Sequence, residues 1–179
     1  YDGRLYVQYE WIHDHPELAG EFVGTATGNI DCFTPKKEYV DFAGSVSGDF
    51  YTVDGFDPSF MLCMKYEDGS VSTYINDNGM TLFRGSDLFE DRLHLSGNYS
   101  GVEYQTRHDW VKSLGNVKTL SDESAGVIEA FVEELNKGSF MYTDDMPLDE
   151  GQKNIYDREI YHLFFRMNNG MTIHLRLYD

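Results

Sequence analysis

The chain has 179 residues, of which 31 are acidic and 14 are basic, so its formal net charge is −17 at pH 7. This charge disfavours binding to nucleic-acid phosphates or to an anionic membrane surface, unless a local basic patch reverses the field. The longest apolar runs, such as residues 60–64, are too short to cross a bilayer, and an aromatic content of 15% argues against disorder. No Pro-rich, Ser-rich or charged linker divides the sequence, which predicts a single domain over residues 1–179.

The first part of the chain predicts short strands separated by turns. Apolar and polar residues alternate over residues 5–11, which is typical of an amphipathic strand, and the sequence His13-Asp14-His15-Pro16 ends it. A second strand is predicted over residues 18–30. Its glycines are spaced four apart, which places them on one face and indicates bends or a bulky neighbour packed over the backbone. These are Gly20, Gly24 and Gly28.

Residues 60–75 predict a β-hairpin in the centre of a sheet. The side chains at 60, 62, 64 and 66 match Val71, Thr73 and Ile75 only with a two-residue loop, so Asp68-Gly69 is predicted as a type I′ turn. The second face is mixed rather than clearly polar. We therefore expect both faces of this hairpin to be partly covered.

The next segment combines weak strand signals with one clear helix. Short strands are predicted over residues 80–83, 92–95 and 102–106, with a brief helical turn at Ser86-Asp87. Residues 108–114 match no single pattern. A helix is predicted over 122–137, because Ser121 offers an N-cap, Gly138 ends the pattern and apolar residues recur at helical spacing. These are Val127, Ile128, Phe131, Val132 and Leu135.

The last twenty residues predict a hairpin whose register follows from side-chain parity. Apolar residues occupy the odd positions of both strands, so odd must pair with odd, and a three-residue loop Asn168-Asn169-Gly170 satisfies this requirement. The loop pairs Phe165 with Ile173 and Leu163 with Leu175, and we expect these four residues to lie together beneath the helix. The predicted fold class is α+β: a curved, largely antiparallel sheet or open barrel with one main helix, about 122–137, packed against it.

The same register places a cationic group on the opposite, polar face of the terminal hairpin. It predicts that His162, Arg166, His174 and Arg176 lie together, with Phe164 beside His174. Such a patch on an anionic protein could hold a carboxylate or phosphate ligand through bidentate arginine contacts. The alternative, cross-strand pairing with the abundant Asp and Glu residues, is the commoner arrangement on exposed sheets.

No metal site, cofactor or catalytic residue is predicted. The His13-Asp14-His15 sequence resembles a ligand pair, but the adjacent proline favours a solvated turn. An acidic loop lacks the spacing of a calcium-binding loop, and no nucleophile, phosphate-binding or dinucleotide motif is present. The two cysteines are expected to be small buried hydrophobes, and a disulfide between them remains open. The acidic loop contains Asp144, Asp145, Asp149 and Glu150, and the cysteines are Cys32 and Cys63.

Two segments carry a resemblance to a known class of proteins. The run from Tyr51 to Phe60, YTVDGFDPSF, and the run from His162 to Thr172, HLFFRMNNGMT, are similar to extracytoplasmic domains of uncharacterised membrane-anchored proteins of Gram-positive bacteria. Some of those domains follow anti-sigma-like cytoplasmic segments. The likeness covers about the last two thirds of the chain and implies an extracytoplasmic location, but it transfers no functional residues.

The expected function is an extracytoplasmic module that binds or senses a ligand or a protein partner without catalysis. The expected partner is a protein or a small anionic ligand, and neither nucleic acid nor membrane insertion of this segment is expected. The chain begins at Tyr1 without methionine, as expected of a processed or excised segment. The alternative is a hydrolase or another enzyme that acts on a small or carbohydrate ligand in a cleft lined by aromatic residues and carboxylates.

Overall fold

A computed structural model describes residues 1–28, 40–142, 145–147 and 154–179. Cys32 and most of the acidic loop, including Asp144, Asp149 and Glu150, lie outside these residues. The chain divides into two compact units, Tyr1–Thr81 and Leu82–Asp179. The single domain therefore stays a prediction.

The first unit contains a five-stranded antiparallel sheet. Its strands are β1 (Tyr6–Ile12), β2 (Ala19–Thr27), β3 (Ser47–Val53), β4 (Met61–Lys65) and β5 (Val71–Asn76), in the spatial order β1-β5-β4-β3-β2. The central position of β4 confirms the expectation for this hairpin. Met61 and Cys63 on one face are buried, and so are Leu62 and Met64 on the other. Burial raises the pKa of the Cys63 thiol to about 12, so this cysteine behaves as a small apolar residue.

The predicted register of the β4–β5 hairpin is wrong. Leu62 pairs with Tyr74 and Met64 with Ser72, which corresponds to a three-residue loop over 67–69 instead of a two-residue turn. The Oδ1 atom of Asp68 accepts hydrogen bonds from the backbone N–H of Ser70 at 2.9 Å and from its hydroxyl at 2.6 Å. Because the side chains on both faces of these strands are buried, side-chain parity could not distinguish the two registers.

The two edge strands of this sheet are irregular. In β1 the register shifts between Gln8 and Glu10, which changes the face that the following side chains occupy. In β2 the predicted close approach is confirmed, because a Cβ atom on Gly24 would lie 2.3 Å from the Phe42 ring. Because glycine has no Cβ atom, the Phe42 ring can pack over β2 at this position.

The second unit contains a four-stranded antiparallel sheet. Its strands are β6 (Tyr99–Thr106), β7 (Lys118–Thr119), β8 (Glu159–Met167) and β9 (Thr172–Tyr178), in the order β7-β6-β8-β9. The terminal hairpin has the predicted register and loop: Phe165 pairs with Ile173, Leu163 with Leu175, and Gly170 adopts a φ of +85°. Leu163, Phe165 and Ile173 are buried and Leu175 is half-buried.

The described residues of this unit form three α-helices: α1 (Gly85–Phe89), α2 (Arg107–Val111) and α3 (Ala125–Lys137). A 3-10 turn over Asp122–Ser124 precedes α3, so the predicted main helix is confirmed with a tighter first turn. Its Phe131 ring stacks on Phe165 of β8 at a centroid distance of 6.4 Å, whereas Val127 is 69% exposed. The α+β class with antiparallel sheets is confirmed, although the strands form two sheets.

Two of the weaker strand predictions are wrong. Residues 80–83 form no strand, and only the adjacent Arg84 makes an isolated bridge to Ser139. Residues 92–95 form turns and irregular backbone after α1. Leu93 and Leu95 are buried without forming a strand, whereas Phe83 is 74% exposed. Neither segment has a partner strand of matching length among the described residues, so period-2 spacing alone was misleading.

Candidate functional site

The four residues predicted to bind a ligand lie on one face of the second sheet. His162 pairs with Arg176 across β8 and β9, Phe164 with His174, and Arg166 with Thr172. The expected juxtaposition, with Phe164 beside His174, is therefore present. The exposure and the partners of these residues differ from the prediction.

His162 is buried, not on a solvated face, which corrects the prediction for this residue. Its side chain is 0% exposed, because Trp110 of α2 stacks on the imidazole ring at a centroid distance of 4.4 Å. Gln105 of β6, which pairs with His162 of β8, is buried as well. Residues 108–114 matched no pattern in the sequence, so the aromatic cover on this face could not be anticipated.

The two arginines pair with carboxylates, as in the alternative considered from the sequence. Arg166 donates hydrogen bonds from Nε and Nη2 to Oε2 of Glu103 at 2.9 and 2.6 Å, and from Nη1 to the Thr172 hydroxyl at 2.9 Å. The Nε atom of Arg176 lies 3.6 Å from Oε1 of Glu159. These contacts offset much of the positive charge, and ligand binding by the four residues stays a prediction.

A carboxylate and two imidazoles lie next to one another beside these arginines. The Nδ1 atom of His162 is hydrogen-bonded to Nε2 of His174 at 2.8 Å, and its Nε2 atom lies 3.2 Å from Oε1 of Glu159. That Oε1 atom and the His162 Nε2 atom are buried and make no hydrogen bond among the described residues. The 3.2 Å separation is thus a close contact without hydrogen-bond alignment.

Both imidazoles of this cluster are neutral at neutral pH. Burial lowers the pKa of His162, and the nearby Arg176 lowers it further, against the opposing effect of Glu159. Burial also lowers the pKa of His174 to about 4, with smaller contributions from His162 and Arg176. A neutral imidazole pair next to a carboxylate can pass a proton along its hydrogen bond, so the cluster has the elements of an acid–base relay.

A separate cavity of about 510 Å³ lies on one face of the first sheet. Strand β1 contributes Tyr6 and Gln8, and β2 contributes Ala26, although these strands occupy opposite edges of the sheet. The sheet is therefore curved around the cavity, in agreement with the predicted curvature. The floor consists of buried side chains from the three inner strands: Phe50, Leu62 and Tyr74.

Residues between β2 and β3 complete the cavity wall. Phe42 adopts a φ of +52°, and its carbonyl oxygen accepts a hydrogen bond from the Thr27 N–H at 3.1 Å. Its ring stacks with Tyr1 at 4.7 Å and contacts Phe50 at 5.9 Å. The small residues Ala43 and Gly44 follow it along the wall. Sequence reasoning missed this cavity; the glycine spacing in β2, which allows the Phe42 ring to approach, was the available signal.

The cavity offers rings and aliphatic groups, with few charges. Arg4 is the only residue with a charged side chain among the described residues that line it, and it is paired with Asp2. The Tyr6 hydroxyl donates a hydrogen bond to the carbonyl of Pro58 at 2.8 Å, and burial raises the pKa of Tyr6 to about 12. A cavity of this size and lining can enclose a small apolar or aromatic molecule.

The chain matches no family model, no curated protein and no solved structure in comparisons with known proteins. The residues that the structure describes contain no helix both long and apolar enough to cross a membrane. In the same part of the chain, no three His, Cys, Asp or Glu side chains are grouped to hold a metal ion. A functional proposal therefore rests on the cavity of the first sheet and on the cluster of His162, His174 and Glu159 in the second unit.

Proposed function

We propose that this chain is a ligand-binding module without catalytic activity, and that its ligand is a small apolar or aromatic molecule held in the cavity of the first sheet. The observation that carries this proposal is the lining of the 510 Å³ cavity by Tyr6, Phe42, Phe50 and Tyr74. Catalytic clefts bring titratable groups together, whereas this cavity has a single charged side chain, Arg4, at the described residues of its wall.

Binding of a neutral fluorescent probe tests the proposal. N-phenyl-1-naphthylamine carries no charge and becomes bright in an apolar environment, so we expect saturable binding to one site per chain. The variant Ala43→Trp places a large ring at the half-buried cavity wall and is expected to weaken binding about tenfold or more.

The matched control is Ala130→Trp, which introduces the same ring at an exposed position of α3 that is not part of the cavity wall. We expect this variant to bind the probe like the wild type. Thermal unfolding of both variants shows whether they are folded. Non-saturable binding to the wild type, or unchanged binding to a folded Ala43→Trp variant, would contradict the proposal.

We further propose that the module acts outside the cytoplasm. The support is the composition of the chain and the similarity of the segments Tyr51–Phe60 and His162–Thr172 to extracytoplasmic domains. The complete reading frame, fused to a reporter enzyme that is active only outside the cytoplasm, tests the location. An inactive but stably produced fusion would contradict it.

The alternative function, a hydrolase, is favoured by one observation, the hydrogen-bonded pair His162 and His174 next to Glu159. In such an enzyme His174, which is half-buried, would act as a neutral general base oriented by His162. Activity toward chromogenic esters and glycosides tests this alternative. Turnover that is lost in His174→Gln would support it, whereas turnover that persists in this variant would reject His174 as the base.

A further inference from the structure

The sequence contains two Asn-Gly dipeptides, and the structure surrounds them differently. Asn78-Gly79 follows β5, and Asn169-Gly170 lies in the loop between β8 and β9. Both glycines adopt a positive φ, +75° for Gly79 and +85° for Gly170. An asparagine followed by glycine is prone to deamidation, because no side chain hinders the approach of the glycine nitrogen to the asparagine Cγ atom. The surroundings of each dipeptide therefore decide how readily it reacts.

The side-chain carbonyl of each asparagine is polarised by a backbone N–H group. The Oδ1 atom of Asn78 accepts a hydrogen bond from the Leu5 N–H at 2.7 Å, and that of Asn169 accepts one from the Met171 N–H at 3.1 Å. Such a donor stabilises the negative charge that develops on the oxygen when a nucleophile attacks the Cγ atom. The two asparagines are thus similarly activated as electrophiles.

The glycine nitrogen, which is the nucleophile, differs between the two dipeptides. The Gly170 N–H donates a hydrogen bond to the Met167 carbonyl at 3.0 Å, which holds the nitrogen in the hairpin turn. The Gly79 N–H donates no hydrogen bond to any residue that the structure describes. Asn78 and Gly79 are also exposed, whereas Asn169 and Gly170 are half-buried. The nitrogen of Gly79 is therefore free to approach the neighbouring Cγ atom in contact with water.

We propose that Asn78 is a site of spontaneous deamidation in the folded chain, and that Asn169 is protected by the fold. The Gly79 nitrogen gives up its proton and attacks the Cγ atom of Asn78. A bond forms between this nitrogen and Cγ, the bond between Cγ and Nδ2 breaks, and ammonia leaves with the proton, which yields a five-membered succinimide. Water then opens the ring at one of its two carbonyl groups and gives aspartate or isoaspartate. Water is the only co-reactant, and the reaction is independent of any ligand in the cavity.

Deamidation of Asn78 changes both the charge of the chain and the segment that precedes β1. Each event adds one negative charge to a chain with a net charge of −17. Aspartate keeps a side-chain oxygen for the Leu5 N–H, whereas isoaspartate carries the main chain through Cβ and Cγ. Leu5 directly precedes β1 and lines the cavity together with Tyr6. Formation of isoaspartate therefore alters the backbone that anchors this part of the cavity wall.

Mass spectrometry of the wild-type chain tests the proposal. After incubation of the folded chain at mildly alkaline pH, digestion with trypsin releases residues 66–84 and 167–176 as separate peptides, each with one Asn-Gly dipeptide. Deamidation raises the mass of a peptide by about 1 Da, and fragment ions assign the position. We expect position 78 to react about fivefold faster than position 169, because reaction at 169 requires loss of the Gly170 hydrogen bond. In urea-unfolded chain the two rates should be similar.

The matched variants are Asn78→Gln and Asn169→Gln, because glutamine keeps the amide but must close a larger and less favourable ring. On isoelectric focusing after incubation, the wild type and Asn169→Gln should develop a more acidic species, and Asn78→Gln should develop much less of it. Thermal unfolding shows whether both variants are folded. Equal rates at positions 78 and 169 in the folded wild type would overturn the proposal. So would an unmodified Asn78 in folded chain under conditions that deamidate it in urea.

Discussion

Among the glycines of the described residues, Gly85 is the one at which an added Cβ atom would come closest to another atom. A Cβ atom there would lie 1.8 Å from the carbonyl oxygen of Leu135 in α3, while the Gly85 N–H donates a hydrogen bond to the Gly138 carbonyl at 2.8 Å. The obstacle is backbone, so it cannot be relieved by a rotamer change. We expect Gly85→Ala to lower the free energy of unfolding by about 3 kcal/mol, measured by urea denaturation.

Gly126 provides the control for this substitution. It lies in the first turn of α3, has an ordinary φ, and has no atom within 4 Å of its Cβ position among the described residues. Gly126→Ala should therefore raise the free energy of unfolding by roughly 0.5–1 kcal/mol through its higher helix propensity. Equal effects of the two substitutions would show that α1 does not cross the last turn of α3 this closely.

A second prediction at the residue level concerns His174 and pH. Its folded-state pKa of about 4 is below the value of about 6.5 for an unperturbed histidine, so folding favours the neutral form. The resulting stabilisation is complete above pH 6.5 and is lost as the pH falls from about 6.5 toward 4. Because His174 is partly exposed, we expect a loss of the order of 1 kcal/mol after allowance for solvent screening.

A His174 variant separates the contribution of this imidazole to the pH dependence of stability from the contribution of the carboxylates. His174→Gln should unfold with a shallower pH dependence than the wild type between about pH 6.5 and 4, measured by urea denaturation. His13→Gln, at an exposed turn, should follow the wild type. If His174→Gln and the wild type lose stability in parallel, the imidazole cluster is not the source of the pH dependence.

At the level of the element, the two hairpins show when side-chain parity is informative. The β8–β9 hairpin was predicted correctly, because its register separates the buried residues Phe165 and Ile173 from charged residues such as Arg166. The β4–β5 hairpin was predicted incorrectly, because both of its faces are buried and every register conceals apolar groups. Its loop is decided by Asp68 and Gly69, which are local features that parity does not include.

The loop of the terminal hairpin carries the third prediction. Gly170 adopts a φ of +85°, a conformation that costs an L-residue about 1–2 kcal/mol. Gly170→Ala should lower the free energy of unfolding by that amount, and Gly170→Asn should cost less, because asparagine tolerates this region. Gly101→Ala in β6 of the same sheet has an ordinary φ and open space around the Cβ position, and it should be neutral or slightly stabilising. A neutral Gly170→Ala would contradict the three-residue turn.

The candidate sites were harder to predict than the strands, because both depend on residues outside regular patterns. Trp110 covers His162 from a five-residue helix, which is too short to produce a helical period in the sequence. Phe42 completes the cavity wall from a non-repetitive segment with a positive φ. Side-chain parity correctly predicted that His162 and His174 lie on the same face of the hairpin. It could not predict which residues pack over them.

At the level of the whole molecule, the number of cooperative units is open to measurement. The single domain predicted from the sequence requires one calorimetric transition, with equal calorimetric and van't Hoff enthalpies. The two compact units, Tyr1–Thr81 and Leu82–Asp179, are each of a size that can have its own core. Two resolved transitions would therefore contradict the single-domain prediction.

The net charge carries the last prediction. With 31 acidic and 14 basic residues, the folded chain brings many like charges together, and this repulsion destabilises the compact state. Added sodium chloride screens the repulsion, so we expect the Tm to rise with ionic strength between about 0.02 and 0.2 M near pH 7.5. At about pH 5, close to the sequence pI of about 4.5, the same addition should change the Tm much less. A Tm that falls with salt at pH 7.5 would mean that ion pairs such as Arg166 with Glu103 contribute more than the summed repulsion.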